Sequence, residues 1–210
     1  MSTETANAFF TVLTLLADGA VVVALLLVLA RPAPPVRRLG DVVVDTVGPS
    51  ARRIAFVVAL VATLGSLYYS EIAHYTPCRL CWYQRICMYP LAVVLLVGLV
   101  RRDRGGRAYA WPFVIVGVLV STYHWLVERV HFFERTSACS DAAPCSVPWF
   151  QTLGFVTLAF MAGSAFLVVG VLLLVERAAE RSDREGERSD REGERGDPET
   201  AGSTGHIGGP

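Results

Sequence analysis

Residues 80–100 read LCWYQRICMYPLAVVLLVGLV, and Arg85 is the only charged side chain among them. At about 1.5 Å per residue, such a run is long enough to cross the roughly 30 Å hydrocarbon core of a bilayer. Four other stretches share this character: Ala6 to Ala30, Ile54 to Ser70, Tyr109 to Val127 and Trp149 to Val175. The second is the shortest and is expected to extend into Arg52, Arg53 and Glu71. Backbone groups in hydrocarbon must be satisfied within their own segment, and runs of Leu, Val and Ala without turn residues make helices, not barrel strands. The expected fold is all-α: a polytopic membrane helical bundle with a four-helix core and one extra N-terminal transmembrane helix.

Composition agrees with this reading. Of 210 residues, 53% are hydrophobic and 18% charged, and the mean hydropathy is +0.44. Soluble domains average roughly 25% charged residues, so a soluble single-core enzyme is disfavoured. The 19 basic residues are all arginine and balance 19 acidic ones, so no basic excess points to nucleic acid.

The arginines also set an orientation, because short loops rich in positive charge stay on the cytoplasmic side. Arg31, Arg37, Arg38, Arg52 and Arg53 lie between the first two spans, and Arg101, Arg102, Arg104 and Arg107 between the third and fourth. The segments Glu71 to Arg79 and Glu128 to Pro148 then face outward from the inner (plasma) membrane. Tyr68, Tyr69, Trp82, Tyr83, Trp125 and Trp149 gather at the same outer ends, as an interfacial belt does. The first span lacks a positive n-region and is long for a signal peptide, so it reads as a retained anchor. The chain thus divides into an anchor (1–30), a cytoplasmic linker (31–53), the bundle (54–175) and a charged tail (176–210). Residues 181–187 and 188–194 repeat Arg-Ser-Asp-Arg-Glu-Gly-Glu. The repeat has no apolar seam, so the expectation is a disordered cytoplasmic tail, with a solvated charged helix as the alternative.

Cysteine placement carries the chemistry. Cys78 and Cys81 form C-x-x-C after Pro77 at the outer mouth of the third span, where a helix N-terminus and Arg79 favour thiolate. Cys139 and Cys145 form a second pair in the other outer loop. Spacing alone leaves three readings open: redox pairs, structural disulfides, or a tetrathiolate zinc site, the last disfavoured by the wide gap of the second pair. Cys87, within the span, reads as a small packing residue.

Arg85 follows Cys81 by one helical turn, on the same face and deeper in the membrane. A guanidinium there is costly unless it meets a partner or snorkels to the headgroups. His124 lies at a similar depth near the outer end of the fourth span, and reads either as a functional group or as a histidine satisfied by a neighbouring helix. Glu71 reads as a partner of Arg79 or Arg85, or as a solvated loop charge. Together Cys81, Arg85 and His124 suit a pocket for the polar head of a lipid-soluble molecule such as a quinone.

The run Ala62-Thr63-Leu64-Gly65-Ser66-Leu67-Tyr68-Tyr69-Ser70-Glu71, then Pro77-Cys78-Arg79-Leu80-Cys81-Trp82-Tyr83-Gln84-Arg85 and Met88-Tyr89-Pro90, closely resembles the disulfide bond formation protein B family, in its short-loop, BdbC-like branch. The resemblance covers about residues 54 to 175. It implies a quinone-dependent thiol oxidase, using menaquinone or ubiquinone, that re-oxidises a DsbA/BdbD-like thioredoxin-fold disulfide donor. Cys78 and Cys81 would work beside the quinone and Cys139 and Cys145 would meet the partner. Arg85 and His124 would contact the quinone. The extra first span and the short second loop depart from the common pattern. Two other classes compete: an anchor or assembly subunit with structural disulfides, and a thiol reductase running electrons outward. Arg85 in phase with the C-x-x-C argues against the anchor, and the direction of electron flow rests on the resemblance.

Overall fold

The computed structural model describes residues 3–29, 34–103, 105–130 and 145–196. Five helices run through them: α1 (Thr3–Leu29), α2 (Pro34–Leu67), α3 (Arg79–Val100), α4 (Gly106–Val127) and α5 (Leu158–Gly196), with a π turn, Tyr68–Ile72, continuing α2. Each of the five contains a segment long and apolar enough to cross a membrane. Among the described residues the only isolated β pairing is a bridge between Thr152 and Val156.

Local chemistry explains the boundaries. Pro34 and Pro35 open α2, where a missing backbone N–H costs nothing. His74, in the left-handed region at φ 56°, turns the chain away after the π segment. Extended Cys78 caps α3, its sulfur accepting the Cys81 N–H at 3.3 Å. Between α3 and α4, the Asp103 carboxylate accepts the Gly105 N–H at 2.7 Å and tightens the turn.

The core is made where α2, α3, α4 and α5 meet, around the fully buried Leu91, Phe166, Val169 and Leu173. Lipid supplies no hydrophobic drive between helices, so close packing must hold them. Small residues permit it: the Phe166 ring occupies the space that a Cβ on Gly117 would need. At the end away from Cys78, ions join the elements. Arg52 Nη2 lies 2.6 Å from Glu176, and Arg107 lies 3.6 Å from Glu176 and 2.8 Å from Glu180. Arg52 also donates to the carbonyls of Gly98 and Asp103, at 3.2 and 2.6 Å.

Three segments differ from the expectation. Residues 34–50 of the linker are helical and continue directly into the second span as part of α2. The charged tail continues α5 as a helix to Gly196, the alternative reading of its repeat, and Arg188 pairs with Glu192 one turn on at 2.8 Å. The fifth helix starts at Leu158 and not at Trp149, because Leu153 and Gly154 adopt left-handed backbone, at φ 55° and 77°, in a turn closed by the Thr152–Val156 bridge. Residues 197–210 of the expected tail lie outside the described residues.

Candidate functional site

The C-x-x-C pair sits where α3 begins. Cys78 and Cys81 are free thiols with sulfurs 2.9 Å apart, a hydrogen-bond contact. The Cys78 sulfur lies 3.6 Å from His124 Nε2, brought in by the last turn of α4. Hydrogen bonding from Cys81, then hydrogen bonding and charge from His124, hold the Cys78 thiol well below its ordinary 9.0 against the opposing effect of burial. His124 in turn faces Glu128 one turn further along, Nε2 to Oε1 being 3.9 Å. Thr157 donates a 2.6 Å hydrogen bond to the other oxygen of Glu128. Burial raises the Glu128 carboxyl, with Thr157 and His124 opposing the shift.

Arg85 is satisfied inside the bundle and does not reach Glu71. Its Nε and Nη2 donate to the Ser66 hydroxyl and carbonyl, both at 3.0 Å, and its guanidinium carbon stands 5.3 Å from the Trp82 ring centre. Glu71 instead accepts from Ser70 at 3.0 Å. Gln84 donates to Ser121 at 3.2 Å, tying α3 to α4.

Cys81 and Arg85 open onto a cavity of about 270 Å³ whose walls are mostly apolar. His124 is not among its lining residues. The expected trio is therefore split, with Arg85 on the cavity side of the cysteine pair and His124 on the Cys78 side.

Cys145 is 3% exposed and disulfide-bonded. It shares one buried cluster with Cys78, Leu80 and Val127, against which Cys81 and Tyr123 pack. The strand of chain that follows is held to the first outer loop: Trp149 stacks on Tyr75 at 4.9 Å and donates to the Thr76 carbonyl at 3.3 Å. Cys139 lies outside the described residues. Cys87 is buried in the main core beside Leu91 and Leu95, a packing position.

The family model for "Disulfide bond formation protein DsbB" matches residues 50–176. The chain belongs to the DsbB family. Curated relatives include a "Probable disulfide formation protein" of Oceanobacillus iheyensis, 44% identical over 126 residues, which cover 58% of this chain and 85% of that one. "Disulfide bond formation protein C" of Bacillus subtilis is 40% identical over 119 residues, 57% of this chain and 86% of that one. A "Probable disulfide formation protein" of Coxiella burnetii is 41% identical over 122 residues, 58% and 83% of the two chains. No solved structure matches. Membership of the DsbB family makes the protein a membrane oxidoreductase of disulfide generation.

Cys78, Cys81 and His124 also bring three potential ligand atoms within 4.8 Å of one another. Two thiolates on a tetrahedral zinc stand about 3.8 Å apart, given Zn–S bonds of about 2.3 Å. The 2.9 Å between the two sulfurs is shorter than that bite and brings them within reach of S–S bond formation. Sequence reasoning missed Glu128, Ser66 and Thr157. The first was readable as the residue one turn beyond His124, whereas the other two come from distant parts of the chain and carried no signal.

Proposed function

We propose that this protein is a quinone-dependent thiol oxidase that re-oxidises an extracytoplasmic thioredoxin-fold disulfide donor. The observation that carries the reading is the position of the C-x-x-C between two features. On one side Cys145, in its disulfide, is buried against Cys78. On the other, Cys81 and Arg85 line a mostly apolar cavity. That cavity is close to the lower limit of about 300 to 1,000 Å³ usual for small-molecule sites, which fits an amphipathic ring whose tail continues into lipid.

Electrons enter at the second loop. A thiolate of the reduced donor attacks the disulfide of Cys139 and Cys145, and the mixed disulfide is resolved by the donor's second thiol, leaving the donor oxidised and the loop pair reduced. A loop thiolate then attacks the disulfide of Cys78 and Cys81, which restores the loop disulfide and leaves the inner pair as thiol and thiolate. A bound quinone supplies the acceptor for two electrons and two protons, and as quinol it is soluble in the bilayer.

The chain's own groups do the rest. The Cys81 N–H and His124 stabilise the Cys78 thiolate, and His124 takes or returns its proton. Glu128, fixed by Thr157, places a carboxylate 3.9 Å from the same Nε2 that faces Cys78 and balances the charge of the imidazolium when it holds the proton. Arg85, anchored on Ser66, presents positive charge at the acceptor's polar end, and the apolar walls keep other thiols and water away. The cysteine end faces outward and the α5 extension faces the cytoplasm.

The test is reconstitution. Purified protein, a reduced thioredoxin-fold donor and a soluble quinone analogue are expected to show donor thiol loss matched mole for mole by quinone reduction. Thiol loss that proceeds equally well without quinone overturns the reading.

A further inference from the structure

The cavity beside Cys81 is not closed by α2 to α5 alone. α2 and α5 meet closely near Arg52 and Glu176, where the space for a Cβ on Gly48 is taken by Ala179. Nearer the cysteines their facing stretches, 57–66 and 158–168, contribute to the cavity wall. α1 packs against both helices there. Its Phe10, Leu13, Thr14 and Ala17 line the cavity, and their spacing puts them on one helical face. Phe9, Val12 and Leu16, on the rest of that turn, are 56%, 56% and 68% exposed, as lipid-facing residues are.

Polar contacts fasten α1 at the rim of the cavity. Tyr69 donates to Asn7 at 2.9 Å and Ser164 donates to Asp18 at 3.0 Å, and both donors belong to cavity-lining residues. The Phe10 ring rests on Gly65, where a Cβ would stand 2.9 Å from Phe10 Cζ. A carboxyl inside an apolar span is costly unless it is partnered, and such residues mark function. An anchor that only tethered the chain would need neither Asn7 nor Asp18. The family match begins at residue 50, so α1 lies outside the matched region.

We propose that α1 is a wall of the acceptor cavity, and that Thr14 and Ala17 set the size of the quinone ring admitted beside Cys81. This rests on the quinone reading above. Thr14 is only 9% exposed and turned into the bundle, so a larger side chain there would occupy the space that the ring requires.

The experiment measures binding, not turnover, on the full chain in nanodiscs. Short-chain one-ring and two-ring quinone analogues are titrated calorimetrically, and thiol exchange between the second loop and a reduced donor is followed in parallel. Thr14→Trp is expected to weaken both analogues about tenfold or more, as overfilling a packed site does. Ala17→Leu is expected to weaken the two-ring analogue more than the one-ring one. Leu16→Trp, on the lipid face, is expected to bind like the unaltered chain, and donor exchange is expected to persist in all three. Equal affinities across the three variants overturn the inference. If Thr14→Trp does not assemble, Ala17→Leu decides, and unchanged affinity for both analogues overturns it. Failure of the unaltered chain to bind either analogue sinks the quinone reading itself, a result distinct from binding that ignores α1.

Discussion

His124 Nε2 lies 3.6 Å from the Cys78 sulfur, although 46 residues separate the two in the chain. The contact favours the thiolate, so in His124→Ala the pH midpoint for iodoacetamide alkylation of Cys78 in the reduced protein is expected to rise. The sign for stability follows the same way. A thiol depressed from 9.0 contributes stability to the reduced form that is fully present above that value and is lost as pH falls through the folded-state value. An unchanged midpoint in His124→Ala would assign the whole effect to Cys81.

In the proposed cycle Arg85 serves electron exit and the second loop electron entry, so the two can be tested apart. A charge-assisted hydrogen bond is worth about 1.5 to 3 kcal/mol, so Arg85→Ala should weaken use of a quinone analogue about ten- to hundredfold. Exchange between the loop pair and the donor should continue at its normal rate. Parallel loss of both activities would mean that the variant has misfolded.

Replacing single cysteines distinguishes the two pairs. Cys145→Ser should no longer accept electrons from the donor, yet its C-x-x-C should remain oxidisable by quinone. Cys81→Ser should exchange with the donor once and then stop. Normal turnover by Cys145→Ser would reduce the second pair to a structural staple.

Gly117 and Phe166 offer a test of packing. Gly117→Val forces branched carbons into space that the fully buried Phe166 ring occupies, at a cost of about 1 to 3 kcal/mol. A lower melting temperature in detergent is expected, partly restored by Phe166→Leu. A melting curve identical to that of the unaltered chain would contradict the α4–α5 packing.

Sidedness can be checked by labelling. All arginines except Arg79, Arg85, Arg129 and Arg135 fall in the segments assigned inward. An impermeant maleimide added outside should therefore reach a cysteine introduced in the second loop and fail to reach one introduced at Asp103. Labelling at Asp103 would invert the topology.

The five helices were legible because span length and charge exclusion are properties of single segments. What failed to show was whatever depended on pairs distant in the chain. Asp18 could be seen as the one charge within the first apolar run, but nothing marked Ser164 as its partner 146 residues away. Arg85 was legible by its turn offset from Cys81, whereas its Ser66 partners were not. His124 was read at the depth of Arg85, whereas its ring meets Cys78, seven residues earlier in the chain than Arg85, and the side of the pair that it faces depends on how α4 is rotated against α3, which no local pattern encodes. The tail misled because its repeat lacks a hydrophobic seam, although charge pairs one turn apart can support a solvated helix without one.

The ion cluster of Arg52, Glu176, Arg107 and Glu180 gives the bundle the mechanics of tongs with a fixed pivot. Its side chains are only 10–17% exposed, so ordinary salt screens them weakly and the pivot holds as ionic strength changes. Any widening between α2 and α5 then falls on the end where Ser66 and Leu158 stand, and there it has to break the α1 contacts of Asn7 with Tyr69 and Asp18 with Ser164.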